Sequence, residues 1–336
     1  MTSSTAKCHT VEEILGLAAS AGPAMTAKDA ADKIRRGLVV MSPMTSLSER
    51  QLAAGFAFLL DPKITAQDVK QIFLESEEKE ESDDTIQQMV RMEDDGSLDF
   101  SSVKLLPSKT AHKQTQAYIH NKPGDNLNLS KEERSMFHGK STQEAVEDTL
   151  RRVLQQRLDT YRQRGLEGIA PYERKGGKEY SPGKELKEVT EQLGMLQQIA
   201  PDFAQYLVDY PNHKPANVED TFGWINFNIN DQPTIALFHK SYLQISNTCA
   251  AMCFRHFYVS QGHNSVQNVG GCFPVMVEST ERAMMINSSR TSTDQVAGFG
   301  GAAKKSMGSR VMGGKIKANY EKYLAVLEKA AADKKQ

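Results

Sequence analysis

Residues 222–245, FGWINFNINDQPTIALFHKSYLQI, determine the predicted fold class. Aromatic and β-branched residues fill it on both sides of Asn230-Asp231, and that dipeptide is a turn signal between two strands. Similar runs follow downstream, in CAAMCFRHFYVS (249–260), FPVMV (273–277) and RAMMINSS (282–289). Strands joined by such short connections form an antiparallel meander. The sequence therefore predicts a twisted antiparallel sheet in this half of the chain.

Helical periodicity comes before these strands. Ser141-x-x-Glu144 is a capping box, which predicts the start of a long helix. The apolar stripe of that helix is Val146, Leu150, Val153, Leu154, Leu158 and Tyr161. Ser181-Pro182 supplies an N-cap and a first-turn proline for a second helix, which is expected to continue to the break at Pro201.

A further amphipathic stripe lies close to the C-terminus. It consists of Ile316, Tyr320, Tyr323, Leu324 and Leu327. The predicted fold class is therefore α+β. An N-terminal helical module is followed by helices and an antiparallel sheet, and the sheet packs against a long C-terminal helix.

The composition is that of a globular protein. Of 336 residues, 39% are hydrophobic and 25% are charged, and the formal net charge is -1. This balance argues against nucleic acid as a partner, because no overall positive field would attract it. The four cysteines are too few for a disulfide framework and are expected to be reduced. No apolar window reaches the roughly 18 residues of a transmembrane segment, and the chain start lacks a signal-peptide core, which favours a cytoplasmic location.

Three segments are expected from these patterns. Residues 1–106 are predicted to form a helical module, in which SLSERQLAAGFAFLL (46–60) and ESEEKEESDDTIQQMVRM (75–92) are helices and Thr65-x-x-Asp68 caps another. Residues 107–140 lack sustained periodicity and are predicted to be a linker or a wrapping segment. Residues 141–336 form the predicted α+β domain.

The acidic stretch MEDDGSLDF, residues 92–100, has some of the features of a calcium loop. With Gly96 at the sharp turn of an EF-hand loop, Glu93, Asp95 and Asp99 occupy three ligand positions. Arg91 and Ser102 then occupy the first and last ligand positions, where carboxylates hold the ion most strongly. Calcium binding at Glu93, Asp95 and Asp99 is therefore expected to be weak.

The surrounding sequence resembles a degenerate calmodulin-like EF-hand pair. The resemblance covers about residues 46–106, where SLSERQLAAGFAFLLDPKITAQDVKQIF is followed by DDTIQQMVRMEDDGSLDFSSVKLL. It implies two helix–loop–helix units in which Ile64 and Leu98 pair as a short β-bridge. The resemblance thus implies the fold of an EF-hand lobe more than its ion site.

The remainder of the chain carries fainter resemblances. YRQRGLEGIAPYERKGGKEYSPGKEL (161–186) and RTSTDQVAGFGGAAKKSMGSR (290–310) resemble segments of an uncharacterised bacterial protein family, to which no activity is attached. The order of a sheet and then a long helix is similar to helix-grip, lipid-binding domains of the START type. That similarity implies an apolar cavity between the sheet and the C-terminal helix.

The polar residues of the predicted sheet provide a candidate ligand-binding or catalytic cluster. Its members are His256, Tyr258, His263, Cys272, Arg290 and Asp294. Strand alternation places Met252, Phe254, His256 and Tyr258 on one face, and Cys253, Arg255, Phe257 and Val259 on the other. A zinc site at Cys249, Cys253 and His256 is disfavoured, because these residues would not converge.

Two functions are compatible with these patterns. The first is a non-enzymatic binding or regulatory protein, in which the EF-hand-like module is joined to a domain that holds a hydrophobic small molecule or a protein partner. The second is an enzyme that uses the Cys/His/Tyr/Arg cluster of the sheet, which requires several of these residues to share one pocket. The absence of a complete catalytic motif favours the first.

Overall fold

A computed structural model describes residues 38–45, 51–60, 64–71, 86–101, 128–173, 177–192, 194–229, 232–245, 250–260, 265–277, 282–293, 318, 321–322, 324–329 and 331–333. In this part of the chain, helices pack against an eight-stranded antiparallel sheet. The prediction of a mixed α and β fold with an antiparallel sheet is confirmed.

The sheet has the strand order β1-β2-β10-β9-β8-β7-β6-β3. Its strands are β1 (Leu38–Thr45), β2 (Gln51–Leu60), β3 (Ile86–Arg91), β6 (Val218–Ile229), β7 (Gln232–Gln244), β8 (Ala250–Ser260), β9 (Ser265–Val277) and β10 (Arg282–Thr293). The consecutive strands β6 to β10 are the predicted meander. A separate small hairpin consists of β4 (Tyr172–Glu173) and β5 (Glu179–Tyr180).

Five α-helices are described between β3 and β6, together with a short 3-10 helix at Gly165–Gly168. They are α1 (Lys131–Ser135), α2 (Gln143–Arg164), α3 (Pro182–Glu191), α4 (Gly194–Ile199) and α5 (Pro201–Asp209). Where the structure describes the chain, no helix combines the length and the apolar character that a membrane span requires. The helix predicted from Pro182 to the break at Pro201 is divided into two, because α3 ends at Glu191 and α4 begins at Gly194.

The prediction that residues 46–60 and 75–92 are helical is wrong where the structure describes these stretches, because Gln51–Leu60 is β2 and Ile86–Arg91 is β3. β1 is also a strand within the predicted helical module. β2 pairs with β10 and β3 pairs with β6, so all three N-terminal strands join the sheet of the C-terminal half. The helix–loop–helix order implied by the EF-hand resemblance is therefore not present at β2 and β3.

The misleading pattern in β3 has a physical origin. Val90 packs into the core on the helical side of the sheet, whereas Met89 packs on the opposite face. Adjacent apolar residues then break the alternation of a half-buried strand and imitate helical spacing. The strand conformation of β2 depends on its hydrogen-bonded partner β10, which is far away in the sequence. A local sequence pattern does not reveal that pairing.

One predicted helix start in the N-terminal segment is confirmed. Residues 66–71 are helical, and the Asp68 side chain accepts hydrogen bonds from the Thr65 backbone nitrogen at 2.7 Å and from its hydroxyl at 2.8 Å. The Thr65 hydroxyl in turn accepts from the Asp68 backbone nitrogen at 3.2 Å. This reciprocal arrangement is a capping box.

The long helix α2 has the predicted buried stripe. Val146, Leu150, Val153, Leu154, Leu158 and Tyr161 are all fully buried. The predicted cap is shifted by one residue, because the Thr142 side chain, and not that of Ser141, accepts from the Ala145 backbone nitrogen. The helix ends at Gly165, whose φ of 62° suits glycine and whose Cα lies against the carbonyl oxygen of Tyr210.

Residues 128–140, at the end of the predicted linker or wrapping segment, pack onto the core. Asn128 donates from its backbone nitrogen to the Val259 carbonyl of β8 at 3.0 Å. The short helix α1 has a capping box of Ser130 and Glu133. Glu133 also accepts two hydrogen bonds from the Arg157 guanidinium of α2, at 2.6 and 2.7 Å. This buried, bidentate ion pair joins α1 to α2.

The two faces of the sheet differ in what covers them. The helix face packs against α2 and α5, and it includes Phe222, Trp224, Leu237, Cys253 and Phe257. The far face has a smaller buried cluster of Ile225, Ala236, Phe238 and Tyr258. This division confirms the strand alternation predicted for β8.

The described residues between 318 and 333 are helical, and Leu327 and Ala331 are buried. The long helix predicted at the C-terminus stays a prediction, since most of the stripe from Ile316 to Tyr323 lies outside the described residues. The cavity implied between that helix and the sheet stays a prediction for the same reason.

Candidate functional site

A cleft with a volume of about 510 Å³ opens between α2, α5 and the start of β6. We name it the Asp220 cleft. It is lined by Met92, Asp159, Arg162, Gln163, Tyr206, Tyr210, Pro211, Lys214, Asp220 and Phe222. Asp159 and Arg162 are on the last two turns of α2, and Tyr206 is on α5. The connection from α5 to β6 contributes Lys214 to the lining.

A second cavity, of about 490 Å³, is lined by residues that include Tyr210 of the same connection. Its cationic residues Arg164, Lys184 and Lys187 are all exposed. In the Asp220 cleft, by contrast, the charged wall is continuous with a buried polar network. This network makes the Asp220 cleft the stronger candidate site.

Asp220 is the centre of the network and accepts four hydrogen bonds. His239 Nε2 lies 2.8 Å and Ser241 Oγ 2.7 Å from Asp220 Oδ1. The other oxygen, Oδ2, accepts from Tyr206 at 2.6 Å and from Lys214 Nζ at 2.7 Å. Burial on its own would raise the pKa of Asp220, but the hydrogen bonds that it accepts, that of His239 first, hold that pKa well below its usual range.

His239 is fully buried and neutral. Burial and the positive charge of Arg255 lower its pKa to about 3, although Asp220 acts in the opposite direction. Its Nδ1 lies 2.8 Å from Arg255 Nη2 and 2.7 Å from the Tyr161 hydroxyl. Because a guanidinium can only donate, Nδ1 is the acceptor, and the single ring proton is on Nε2, facing Asp220.

The residues Asp220, His239 and Ser241 do not form a working catalytic triad, because their geometry is different. In a catalytic triad, the acid and the nucleophile use opposite nitrogens of the imidazole. Here Ser241 Oγ lies 2.9 Å from His239 Nε2, the same nitrogen that faces Asp220. Ser241 is also fully buried. The network therefore fixes the Asp220 carboxylate and does not activate Ser241.

Arg255 is a buried cation behind this network. Its side chain has no exposure, and it donates to the Leu207 carbonyl oxygen at 2.7 Å. The rings of Tyr161 and Tyr210 lie 5.9 and 5.5 Å from its guanidinium carbon, which are cation–π distances. Among the residues that the structure describes, no carboxylate forms an ion pair with Arg255. Asp220, across the His239 ring, is the negative group of the same network.

Arg162 is the second cation without an acidic partner among the described residues. Its guanidinium lies over the ring of Phe222 at 5.7 Å. It also contacts the acidic turn, since a Cβ on Gly96 would be only 2.8 Å from Arg162 Nη1. Asp159 nearby already accepts from Gln155 at 3.0 Å. Arg162 therefore enters the cleft with its hydrogen-bond donors available.

The acidic turn borders the cleft as a structural element. Gly96 has a φ of 89°, and Gln155 of α2 both accepts from the Leu98 nitrogen at 2.9 Å and donates to the Gly96 carbonyl at 3.0 Å. Leu98 also forms an isolated antiparallel bridge with Met92. The turn is thus tied to helix α2.

Two of the three predicted calcium ligands, Asp95 and Asp99, are engaged locally. Asp95 accepts from the Ser97 hydroxyl and nitrogen, and Asp99 from the Ser101 nitrogen. These hydrogen bonds lower the pKa of both carboxyl groups. In the described part of the chain, Glu93, Asp95 and Asp99 are not grouped as a metal site, and neither is any other trio of His, Cys, Asp or Glu.

The described members of the predicted sheet cluster occupy two different sets of sheet positions. His256 and Tyr258 are neighbours on the far face, with ring centroids 6.1 Å apart. In the strand register, Cys272 lies opposite Ala251. Arg290 lies opposite Asn268, which in turn lies opposite Arg255. Cys272 and Arg290 therefore occupy sheet positions that alternate with those of His256 and Tyr258. His263 and Asp294 lie outside the described residues.

Sequence reasoning missed the polar network, although one signal was present. Ile235 and Leu237 are buried on the helix face, and the same alternation continues through His239 and Ser241. Polar residues at inward-facing strand positions require buried partners. Tyr161 was predicted only as part of the apolar stripe of α2, and its hydroxyl is one of these partners.

Comparisons of the chain with known protein families, with curated proteins and with solved structures find no match.

Proposed function

We propose that this chain is a binding protein whose ligand is a small organic anion held in the Asp220 cleft. The observation that carries the proposal is Arg162, a guanidinium that lines the cleft and pairs with no carboxylate among the described residues. An arginine in such a position is suited to a carboxylate or a phosphate, since its donors are arranged as a planar fork.

The other charged groups support an anion over a cation as the ligand. Lys214 donates one hydrogen bond to Asp220, and its side chain is 46% exposed to solvent. Its other two N–H groups are therefore available to a ligand. The two carboxylates of the cleft are already engaged, Asp159 with Gln155 and Asp220 with its four donors. The cleft therefore offers free donors and few free acceptors.

The same chemistry favours binding over catalysis. A carboxylate whose pKa is held low, as that of Asp220 is, makes a weak general base. His239 has no exposure and cannot reach a ligand in the cleft. The roles that remain for the network are to fix Lys214 and Tyr206 in place and to keep the charge of the cleft constant.

A thermal-shift screen of small organic anions tests the proposal. An anion at 100 times its dissociation constant adds about 2.7 kcal/mol to the free energy of unfolding, which is a shift of several degrees. We expect the shift to disappear in Arg162→Gln. It should persist in Arg152→Gln, a control on an exposed position of the same helix. If no anion exceeds the effect of sodium chloride at equal ionic strength, or if Arg162→Gln responds as the parent does, the proposal is wrong.

A further inference from the structure

We infer that the anion is a monocarboxylate attached to an apolar group, and this inference rests on the proposed anion-binding function. The inference rests on the net charge of the residues that line the cleft or belong to its network, on the position of the Arg162 guanidinium and on the apolar residues of the lining.

The charges around the cleft leave room for one negative charge. Among the described residues that line the cleft or belong to its network, the cations are Arg162, Lys214 and Arg255. The carboxylates are Asp159 and Asp220. His239 is neutral and adds nothing. The acids of the bordering turn, Glu93, Asp94 and Asp95, are exposed, so solvent and salt screen their charges. One positive charge is in excess, so a monoanion neutralises the group, whereas a dianion would leave a negative charge beside two fixed carboxylates.

The orientation of Arg162 favours a planar acceptor. The guanidinium carbon lies over the Phe222 ring, 5.7 Å from its centroid, and the Gly96 turn restricts the group further. The N–H groups along its edge remain, and two of them can donate in parallel to the two oxygens of one carboxylate. A guanidinium that is already held by an aromatic ring and a turn loses little conformational freedom when the ligand binds.

The apolar part of the lining accounts for the rest of the ligand. Met92, Pro211 and Phe222 line the cleft together with the rings of Tyr206 and Tyr210. Phe222 and the two tyrosines are buried, so their rings are held in place by the packing around them. The apolar surface that they contribute to the cleft is therefore fixed. A volume of about 510 Å³ is within the range of pockets for small organic molecules.

Three probes of similar shape separate the possibilities. They are benzoate, which is a monoanion, phenyl phosphate, which is mainly a dianion at pH 7.5, and benzamide, which is neutral. Their dissociation constants for the purified full chain are measured by isothermal titration calorimetry at one ionic strength. We expect benzoate to bind at least about tenfold more tightly than either of the other two, a difference of about 1.4 kcal/mol.

Variants connect the result to the site. Arg162→Gln should weaken benzoate binding by tenfold or more, and Arg152→Gln should leave it unchanged. Arg162→Lys keeps the charge without the planar fork, so it should restore only part of the affinity. Circular dichroism spectra of the variants establish that they are folded.

The outcomes distinguish failure of the monocarboxylate inference from failure of the proposed anion binding. If phenyl phosphate binds as tightly as benzoate or more tightly, and does so through Arg162, the anion cleft stands and the inference of a monocarboxylate is overturned. If benzamide matches benzoate, the charge has no role and the inference also fails. If none of the three probes binds in an Arg162-dependent manner, while other anions do in the thermal-shift screen, the apolar monocarboxylate is overturned without affecting the proposed function.

Discussion

Replacement of Asp220 by Asn tests whether one carboxylate organises the cleft. Each oxygen of Asp220 accepts two hydrogen bonds. An Asn side chain is almost the same size but has only one oxygen, and its amide group donates. In one orientation the amide faces the donors of Lys214 and Tyr206. In the other it faces those of His239 and Ser241. Either way, two donors lose their acceptor.

The expected loss follows from these contacts. Two donors that lose their acceptor cost about 1–3 kcal/mol each where they are buried. Lys214 is half-exposed, so the loss of its ion pair adds little. The cheaper orientation turns the Asn amide toward Lys214 and Tyr206, so only the buried Tyr206 hydroxyl carries the full penalty. We therefore expect the free energy of unfolding to fall by about 1–3 kcal/mol.

Urea unfolding provides the assay, because the chain has a single tryptophan. Trp224 is fully buried on β6, the strand that carries Asp220, so its fluorescence reports on this region. Asp94→Asn is the matched control: this acid lies on the exposed acidic turn, and its replacement should change the free energy of unfolding by less than about 0.5 kcal/mol. A loss below about 1 kcal/mol for Asp220→Asn, with an unchanged urea slope, would mean that this carboxylate does not organise the cleft.

Three further predictions concern pH, an ion pair and a glycine. His239 has a lowered pKa of about 3 in the folded state against a usual value of 6.5, so its contribution to stability is present above pH 6.5 and is lost as the pH falls toward 3. Urea midpoints measured between pH 7 and 5 should therefore fall with pH, and His239→Gln should remove most of that slope. Arg157→Ala leaves the buried Glu133 carboxylate without its bidentate partner and should cost about 3–5 kcal/mol in urea unfolding, of which the second substitution Glu133→Gln should recover part. Gly165→Ala would bring a Cβ within 1.7 Å of the Tyr210 carbonyl and should lower the melting temperature far more than Gly139→Ala, where φ is also positive but no atom lies within 4 Å; equal effects would contradict the steric argument.

The helical side of the core could be predicted from the sequence because its signals are local. The stripe from Val146 to Tyr161 repeats at helical spacing and is buried along its length. The alternation along β8 likewise separates Cys253 and Phe257 from Tyr258, as the structure has them. In both cases the burial pattern is set within a single helix or strand, by which of its faces packs against the core.

The N-terminal strands and the cleft could not be predicted, because they depend on distant partners. β2 is rich in Ala and Leu, which suit a helix, and only its pairing with β10 makes it a strand. Asp220 had no distinguishing sequence context. Its role depends on Lys214, Tyr206 and His239, which come from a connection, a helix and a neighbouring strand. No pattern within one element reveals such a convergence.

The sheet order also constrains how the chain can fold during its synthesis. β2 lies between β1 and β10, and Leu60 pairs with Ala283, more than 200 residues further along the chain. At about 5–20 residues per second, a ribosome needs on the order of 10–40 s to produce that partner. Throughout this interval, the paired β1 and β2 present an unmatched strand edge to solvent and to other nascent chains. We therefore expect slow folding and dependence on chaperones, and a lower yield when synthesis outpaces their supply.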